Sequence, residues 1–250
     1  MPRYDFRSTR LYVDVPLTEG GEVTLDRDQS NYLVNVLRLQ RGDAVLLFNG
    51  VDGEWHAELA GSGKRSVILR VATQQRAQTR TGDLHFLFAP LKHARLDYLV
   101  QKAVEMGASR LQPVMTRHTQ VARVNIDRMR ANAIEAAEQC GILRVPEVAE
   151  PMAFDQVAAE ASRLLVFCDE DAPVKDPVAA LVGARRSPHQ PLAVLVGPEG
   201  GFAEEERVAL LRRPMVVRIA LGPRILRADT AAIAALALVQ AVLGDWQGPG

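Results

Sequence analysis

Between residues 192 and 243 the chain twice repeats one arrangement: an apolar run passes into a glycine-containing loop and then into a helical pattern. The first copy reads LAVLVG, Pro198-Glu199-Gly200-Gly201-Phe202, AEEERVALL; the second reads VVRIALG, Pro223-Arg224-Ile225-Leu226-Arg227, ADTAAIAALALVQ. Strands that each feed a helix rather than a tight hairpin are the signature of an α/β domain with a mainly parallel sheet. In such a sheet ligands collect beyond the carboxyl ends of the strands, where glycine lets backbone come close to them. Two such loops are the makings of one pocket.

The same alternation extends upstream to residue 83. LHFLFAPL reads as a buried strand, and the segment after it places Leu96, Leu99, Val100, Ala103 and Val104 on one helix face, with Gly107 at the position of a C-terminal cap. RLQPVM and RLLVFCDE add strands, and helices are predicted over 127–139, 154–161, 204–211 and 229–243. Residues 11–75 differ. There LYVDV, EVTL, AVLLFNG, EWHAEL and SVILRV alternate with turn signals, as in a small β-barrel, interrupted by a helix over 28–37 with Tyr32, Leu33, Val36 and Leu37 on one face. The stretch 73–83, TQQRAQTRTGD, has no apolar period and reads as a solvated linker. The predicted organisation is a β domain over 1–75 and an α/β domain over 83–250, which 250 residues of 48% hydrophobic content can support.

Composition narrows the function classes. Lys plus Arg equals Asp plus Glu at 30 each, so no net positive field marks a nucleic-acid partner, and an RNA contact must come from a local patch. Cys140 and Cys168 are not spaced as a CxxC pair, and the five histidines show no ligand spacing, so no metal is expected. The polar start MPRYDFRSTR lacks the apolar stretch of a signal peptide, and the longest apolar run, 231–243, is too short to span a bilayer. The expectation is a cytoplasmic protein with free thiols and no membrane partner.

The GPEGG loop lacks the GxxxxGK[ST] spacing of a phosphate-cradling loop, and Glu199 within it repels phosphate. A carboxylate beside open backbone amides and carbonyls suits a neutral or cationic ligand better, such as a nucleoside-like cofactor bearing a sulfonium. Taken alone, a strand, Gly-Pro turn and helix is also a common structural connection.

Several motifs, in order along the chain, resemble the RsmE family of SPOUT RNA methyltransferases. They are YLVNVLRLQRGD (32–43), KAVEMG (102–107), EAAEQCG followed by Arg144-Val145-Pro146, LVGPEGGF with Glu204 to Glu206 after it, and LGPRILRADTAAIAAL. The resemblance runs from about residue 10 to 243. It implies a PUA-like domain ahead of a trefoil-knotted α/β domain, a homodimer, and S-adenosyl-L-methionine (SAM) as cofactor. The implied reaction is methylation of N3 of one uridine in 16S ribosomal RNA of the small ribosomal subunit. By position, Val196, Gly197, Gly200, Gly201, Leu221, Gly222, Ile225 and Leu226 would line the cofactor pocket, largely through backbone.

The uridine N3 proton must be lost, so a base or a cation stabilising the anion is needed. Glu199 and Asp229 are the candidate bases, with helix capping or ion pairing as their structural reading. Arg224 and Arg227 are the candidate stabilisers, with an ion pair to Glu199 or Asp229 as theirs. Arg10, Arg38 and Arg41, with Lys92, Arg117 and Arg123, are candidates for a surface tracking RNA backbone. The sequence departs from the family pattern at Asn31-Tyr32, Ile142, Ala203 and Ala228-Asp229-Thr230. Ala203 stands in place of a serine cap, which costs about 1 kcal/mol, softened by three glutamates in the next turn. Two alternatives stay open: a SPOUT enzyme with another RNA target, including a ribose 2′-hydroxyl, and a noncatalytic RNA-binding assembly factor.

Overall fold

The computed structural model describes residues 8–62, 66–79, 82–92, 94–185, 187 and 190–247, the side chains of residues 62 and 247 excepted. The chain's start (1–7) and residues 80–81 of the expected linker lie outside the described residues. The chain forms two compact units: Met1–Arg80 with Ala137–Arg144, and Thr81–Ala136 with Val145–Gly250. Nothing in the sequence pattern marks the excursion of 137–144 into the first unit.

The first unit is a five-stranded sheet in the order β1-β3-β4-β5-β2, built from β1 (Arg10–Tyr12), β2 (Glu22–Thr24), β3 (Ala44–Phe48), β4 (Glu54–Ser62) and β5 (Val67–Arg76). β1 and β3 are parallel and the remaining pairs antiparallel, with register shifts along β4 and β5 that bend the sheet. Alternate residues point inward, so Val45 and Leu47, Ala57 and Leu59, and Val67, Leu69 and Val71 make one core with Leu33.

Two expectations are corrected in this unit. The helix over 28–37 is a short α1 (Arg27–Asn31) continued by a π turn over Tyr32–Val36. The wider turn breaks the 3.6-residue period, so of the four apolar residues assigned to one face only Leu33 is fully buried, while Tyr32 and Val36 are exposed. The solvated linker begins later than residue 73, because β5 runs on to Arg76. There Gln74 pairs with Trp55, and the Arg76 guanidinium reaches the Glu54 carboxylate at 2.8 Å, which hydrophobic periodicity does not register.

The second unit is a seven-stranded sheet in which every pairing is parallel. β12 (Val216–Ile219), β10 (Leu164–Cys168), β11 (Leu192–Val196), β6 (Leu84–Phe88), β7 (Arg110–Met115) and β8 (Glu147–Val148) follow one another, and β9 (Met152–Ala153) also pairs with β7. β11 is buried along its whole length, as a strand covered on both faces must be. α2 (Ala94–Glu105), α5 (Pro177–Ala184) and α7 (Ala228–Val242) pack together, with α7 also against β11, while α4 (Phe154–Ala159) and α6 (Glu204–Leu211) pack on each other. Leu87, Leu165, Phe167, Ala193 and Leu195 form the core beneath α4 and α6. α3 (Ile126–Cys140) and α6 match the expected helices closely; α5, not expected, starts at Asp176, whose carboxylate accepts the Val178 and Ala179 N–H groups.

Because the strands are parallel, the loops after β6, β7, β10, β11 and β12 all emerge at one edge of the sheet. The two glycine loops are therefore brought to the same end of the fold.

Candidate functional site

The first loop, between β11 and α6, is anchored by its own aromatic residue. Phe202 packs edge-on to Phe167 at 5.1 Å and tilted to Phe154 at 6.2 Å between ring centres. A side chain at Gly197 would begin 2.5 Å from the Phe202 ring, so the glycine there serves the loop's packing. Val196 is buried and its carbonyl accepts the Ala89 N–H, which gives it a sheet role. The chain then turns, the Gly201 N–H donating to the Pro198 carbonyl at 3.0 Å, with Gly201 at φ +69°. His118, from the loop after β7, stands over this turn with Nδ1 3.1 Å from the Gly201 carbonyl oxygen.

The helix that follows has lost its serine cap as the sequence predicted, and Glu206 takes over part of that work. Its carboxylate accepts the Ala203 N–H at 2.9 Å and the Arg117 N–H at 2.8 Å, tying the loop after β7 to the start of α6. The end of β10 is held in turn by Asp169, a carboxylate almost without exposure that binds Arg207 of α6 at 3.1 Å and Arg218 of β12 at 2.8 Å. Beside it, burial first and the Asp169 charge second push the Cys168 thiol up to about 12, so it stays protonated at neutral pH.

The second loop, between β12 and α7, is open. Gly222, at φ +93°, has no atom within 4 Å of the point where a side chain would begin, and the same holds for Gly201. Leu221 and Leu226 are half-buried and Ile225 is fully exposed, an apolar side chain that nothing in the described residues covers. Arg224 and Arg227 are exposed and, among the described residues, have no carboxylate partner. The expected alternative of an ion pair from these arginines to Glu199 or Asp229 is thus not what the structure shows.

That pairing exists, and Arg95 makes it. From the first turn of α2 its guanidinium bonds Glu199 in the first loop, and at 3.1 and 3.3 Å it bonds Asp229 in the first turn of α7. One side chain bridges both glycine loops. The hydrogen bond from Arg95 holds the Asp229 carboxyl below its ordinary range, and the Arg95 pKa is raised in return. Glu199 and Asp229, the candidate bases, are thus both engaged by one guanidinium, the ion-paired arrangement that stood as their structural reading. Sequence reasoning missed Arg95 because its partners lie 104 and 134 residues away. The available signal was topological: the first turn after β6 must sit at the edge where both loops emerge.

The candidate RNA-facing cations divide. Arg10 is corrected to an internal ion pair: its side chain is 5% exposed and its Nε lies 3.0 Å from Glu54. Arg38 and Arg41 are exposed, with no ion pair among the described residues, and they follow the exposed Tyr32 and Val36 of the π turn. Lys92 and Arg123 are exposed near the glycine loops' end of the second unit, and Arg117 is exposed there with its guanidinium 3.7 Å from Glu205. No cluster of metal-ligating side chains occurs among the described residues, and no helix among them is long and apolar enough to cross a membrane.

The RNA methyltransferase domain family matches residues 78–240, and the RNA methyltransferase PUA domain family matches residues 25–72. The chain is 30% identical over 232 residues to ribosomal RNA small subunit methyltransferase E of Rickettsia conorii, covering 92% of this chain and 94% of that one. It is 26% identical to the protein of the same name from Bacillus subtilis, covering 96% of each. Among solved structures, the ribosomal RNA small subunit methyltransferase E of Neisseria gonorrhoeae, bound to S-adenosyl methionine, superposes with a TM-score of 0.83 at 26% identity, over 96% of this chain and 100% of that one. A Legionella pneumophila protein in complex with the bound cofactor SAM superposes with a TM-score of 0.77 at 29% identity, over 94% of this chain and 98% of that one.

Proposed function

The chain belongs to the ribosomal RNA small subunit methyltransferase E family, a SPOUT trefoil-knot α/β domain preceded by a PUA-like domain, and from that premise we propose that it transfers a methyl group from SAM to N3 of a uridine in 16S ribosomal RNA. The observation that carries this reading is the pair of glycine loops locked side by side by Arg95. Open backbone at Gly201 and Gly222, with the uncovered Ile225, fits a ligand that is part adenine and part amino acid and is held largely by main-chain groups. Gly197, Gly200, Leu221 and Leu226 complete that cradle, and Val196 shapes it from the strand end.

When bound, the cofactor supplies a methyl group carried on a positively charged sulfur. The residues of this chain position the acceptor and handle its charge. N3 lies on the pairing edge of uracil, so the base must be unpaired or extruded to reach the loops. N3 would take up that methyl group and give up its proton to solvent. Arg224 and Arg227, in the same loop as the cofactor contacts and without a carboxylate partner among the described residues, stabilise the negative charge that the departing proton leaves on the ring. A division into domains at 1–75 and 83–250, assembly as a homodimer and a cytoplasmic site of action belong to the same reading. So does RNA contact by Arg38, Arg41, Lys92, Arg117 and Arg123.

The test is methyl transfer from labelled SAM to small ribosomal subunits that lack their native methylation, followed by nucleoside analysis. N3-methyluridine is expected. A ribose-methylated product would replace the target, and SAM binding without transfer to any ribosomal RNA would overturn the reading.

A further inference from the structure

Next to the Arg95 lock the second unit has a cleft of about 200 Å³, walled by Pro90, Leu91, Val121 and Pro198 and rimmed by Lys92 and Gln120. A cleft of this size admits a flat pyrimidine ring. Pro198 belongs to the first glycine loop, so whatever enters lies against the backbone assigned to the cofactor. The other charged lining groups, Arg95 and Glu199, are bound to each other. Neither the Lys92 ammonium nor the Gln120 carboxamide has a hydrogen-bond partner among the described residues, and both are exposed.

We propose that this cleft receives the target uracil, flat between its apolar walls, with Lys92 and Gln120 donating to the two ring carbonyl oxygens. The proposal rests on the methyltransferase reading above and deepens it. Uracil carries those oxygens on either side of N3, so donors there leave N3 itself facing the loops. When the N3 proton leaves to solvent, the negative charge spreads onto the same two oxygens, and the two donors bind the anion more strongly than the neutral ring. Selectivity follows with Lys92 at the 4-position: a cytosine presents an amino group there, opposed to an ammonium that can only donate.

The experiment compares wild type, Lys92→Ala, Gln120→Ala and Lys92→Arg in single-turnover methylation of undermethylated small subunits across pH, with SAM affinity measured separately by calorimetry. Each alanine variant is expected to lose about tenfold or more in rate. Its pH–rate profile moves to higher pH because the uracil anion is less stabilised, and its SAM affinity stays within about twofold, as befits a group that acts on the acceptor. Lys92→Arg recovers much of the rate. Wild-type rates and an unmoved pH profile in both alanine variants would overturn the cleft assignment while leaving the methyltransferase reading intact. Should wild type itself transfer no methyl group, a 4-thiouridine-containing single strand photo-crosslinked to the protein decides the cleft independently. Crosslinks to residues 90–92 or 120–121 support it, and crosslinks confined elsewhere sink it.

Discussion

Glu54 is the residue on which the first unit depends most sharply. Its side chain is 3% exposed and accepts hydrogen bonds from Arg10 Nε at 3.0 Å and from Arg76 Nε and Nη2 at 2.8 Å. Two guanidiniums converge on one buried carboxylate, so removing it takes an anionic partner from both at once. Glu54→Ala is expected to destabilise the protein by about 3–5 kcal/mol in urea unfolding. Asp229 makes a gentler prediction through pH. Its folded pKa is depressed by the bond from Arg95, so the stability it contributes is complete above the ordinary carboxylate range and is lost as pH falls through the depressed folded value. Asp229→Asn should therefore flatten the decline of stability between neutral and acid pH. An acid limb as steep as that of wild type would show that the bond contributes nothing to folding.

At the scale of elements, the two loops act as one site only if something holds them in register, and that is the bridge from α2 to the start of α7 and to the first loop. Arg95→Ala is expected to weaken SAM binding about tenfold, or ~1.4 kcal/mol, by calorimetry, with a small fall in unfolding temperature from the lost bond to Asp229. Arg95→Lys recovers little, since a single ammonium cannot span two carboxylates as a planar guanidinium does. Unchanged affinity in both variants would mean that the loops keep their places unaided. The strands and crossover helices of this half were legible in the sequence because a buried parallel strand and an amphipathic helix write their periods directly. α5 was missed although Asp176-Pro177 is a helix-start signal, because residues 177–184, PVAALVGA, show no clear polar face. The π turn was misread because it abandons the 3.6-residue period. The glycine loops were found from local pattern; the lock and the cleft rest on contacts between distant segments, which no local pattern records.

Across the whole molecule, the proposed labour is divided: the second unit holds the cofactor and acceptor, and the first reads RNA. The RNA face of the first unit is best located where the chain tolerates strain without an evident structural return. Arg38 sits at φ +59°, a left-handed conformation that is costly for a side chain larger than glycine. It directly follows the π turn that exposes Tyr32 and Val36, and with Arg41 it forms an exposed cationic pair on a turn. If that geometry exists for RNA, Arg38→Gly should raise thermal stability by relieving the backbone while weakening RNA binding, a pairing of effects that simple unfolding cannot produce. With Arg41→Ala added, the slope of log affinity against log salt should fall by about one for each phosphate no longer neutralised, and SAM affinity should not move. A stabilised Arg38→Gly variant that binds RNA with the wild-type salt slope would separate the strain from recognition and place the RNA-binding face of this unit elsewhere on its surface.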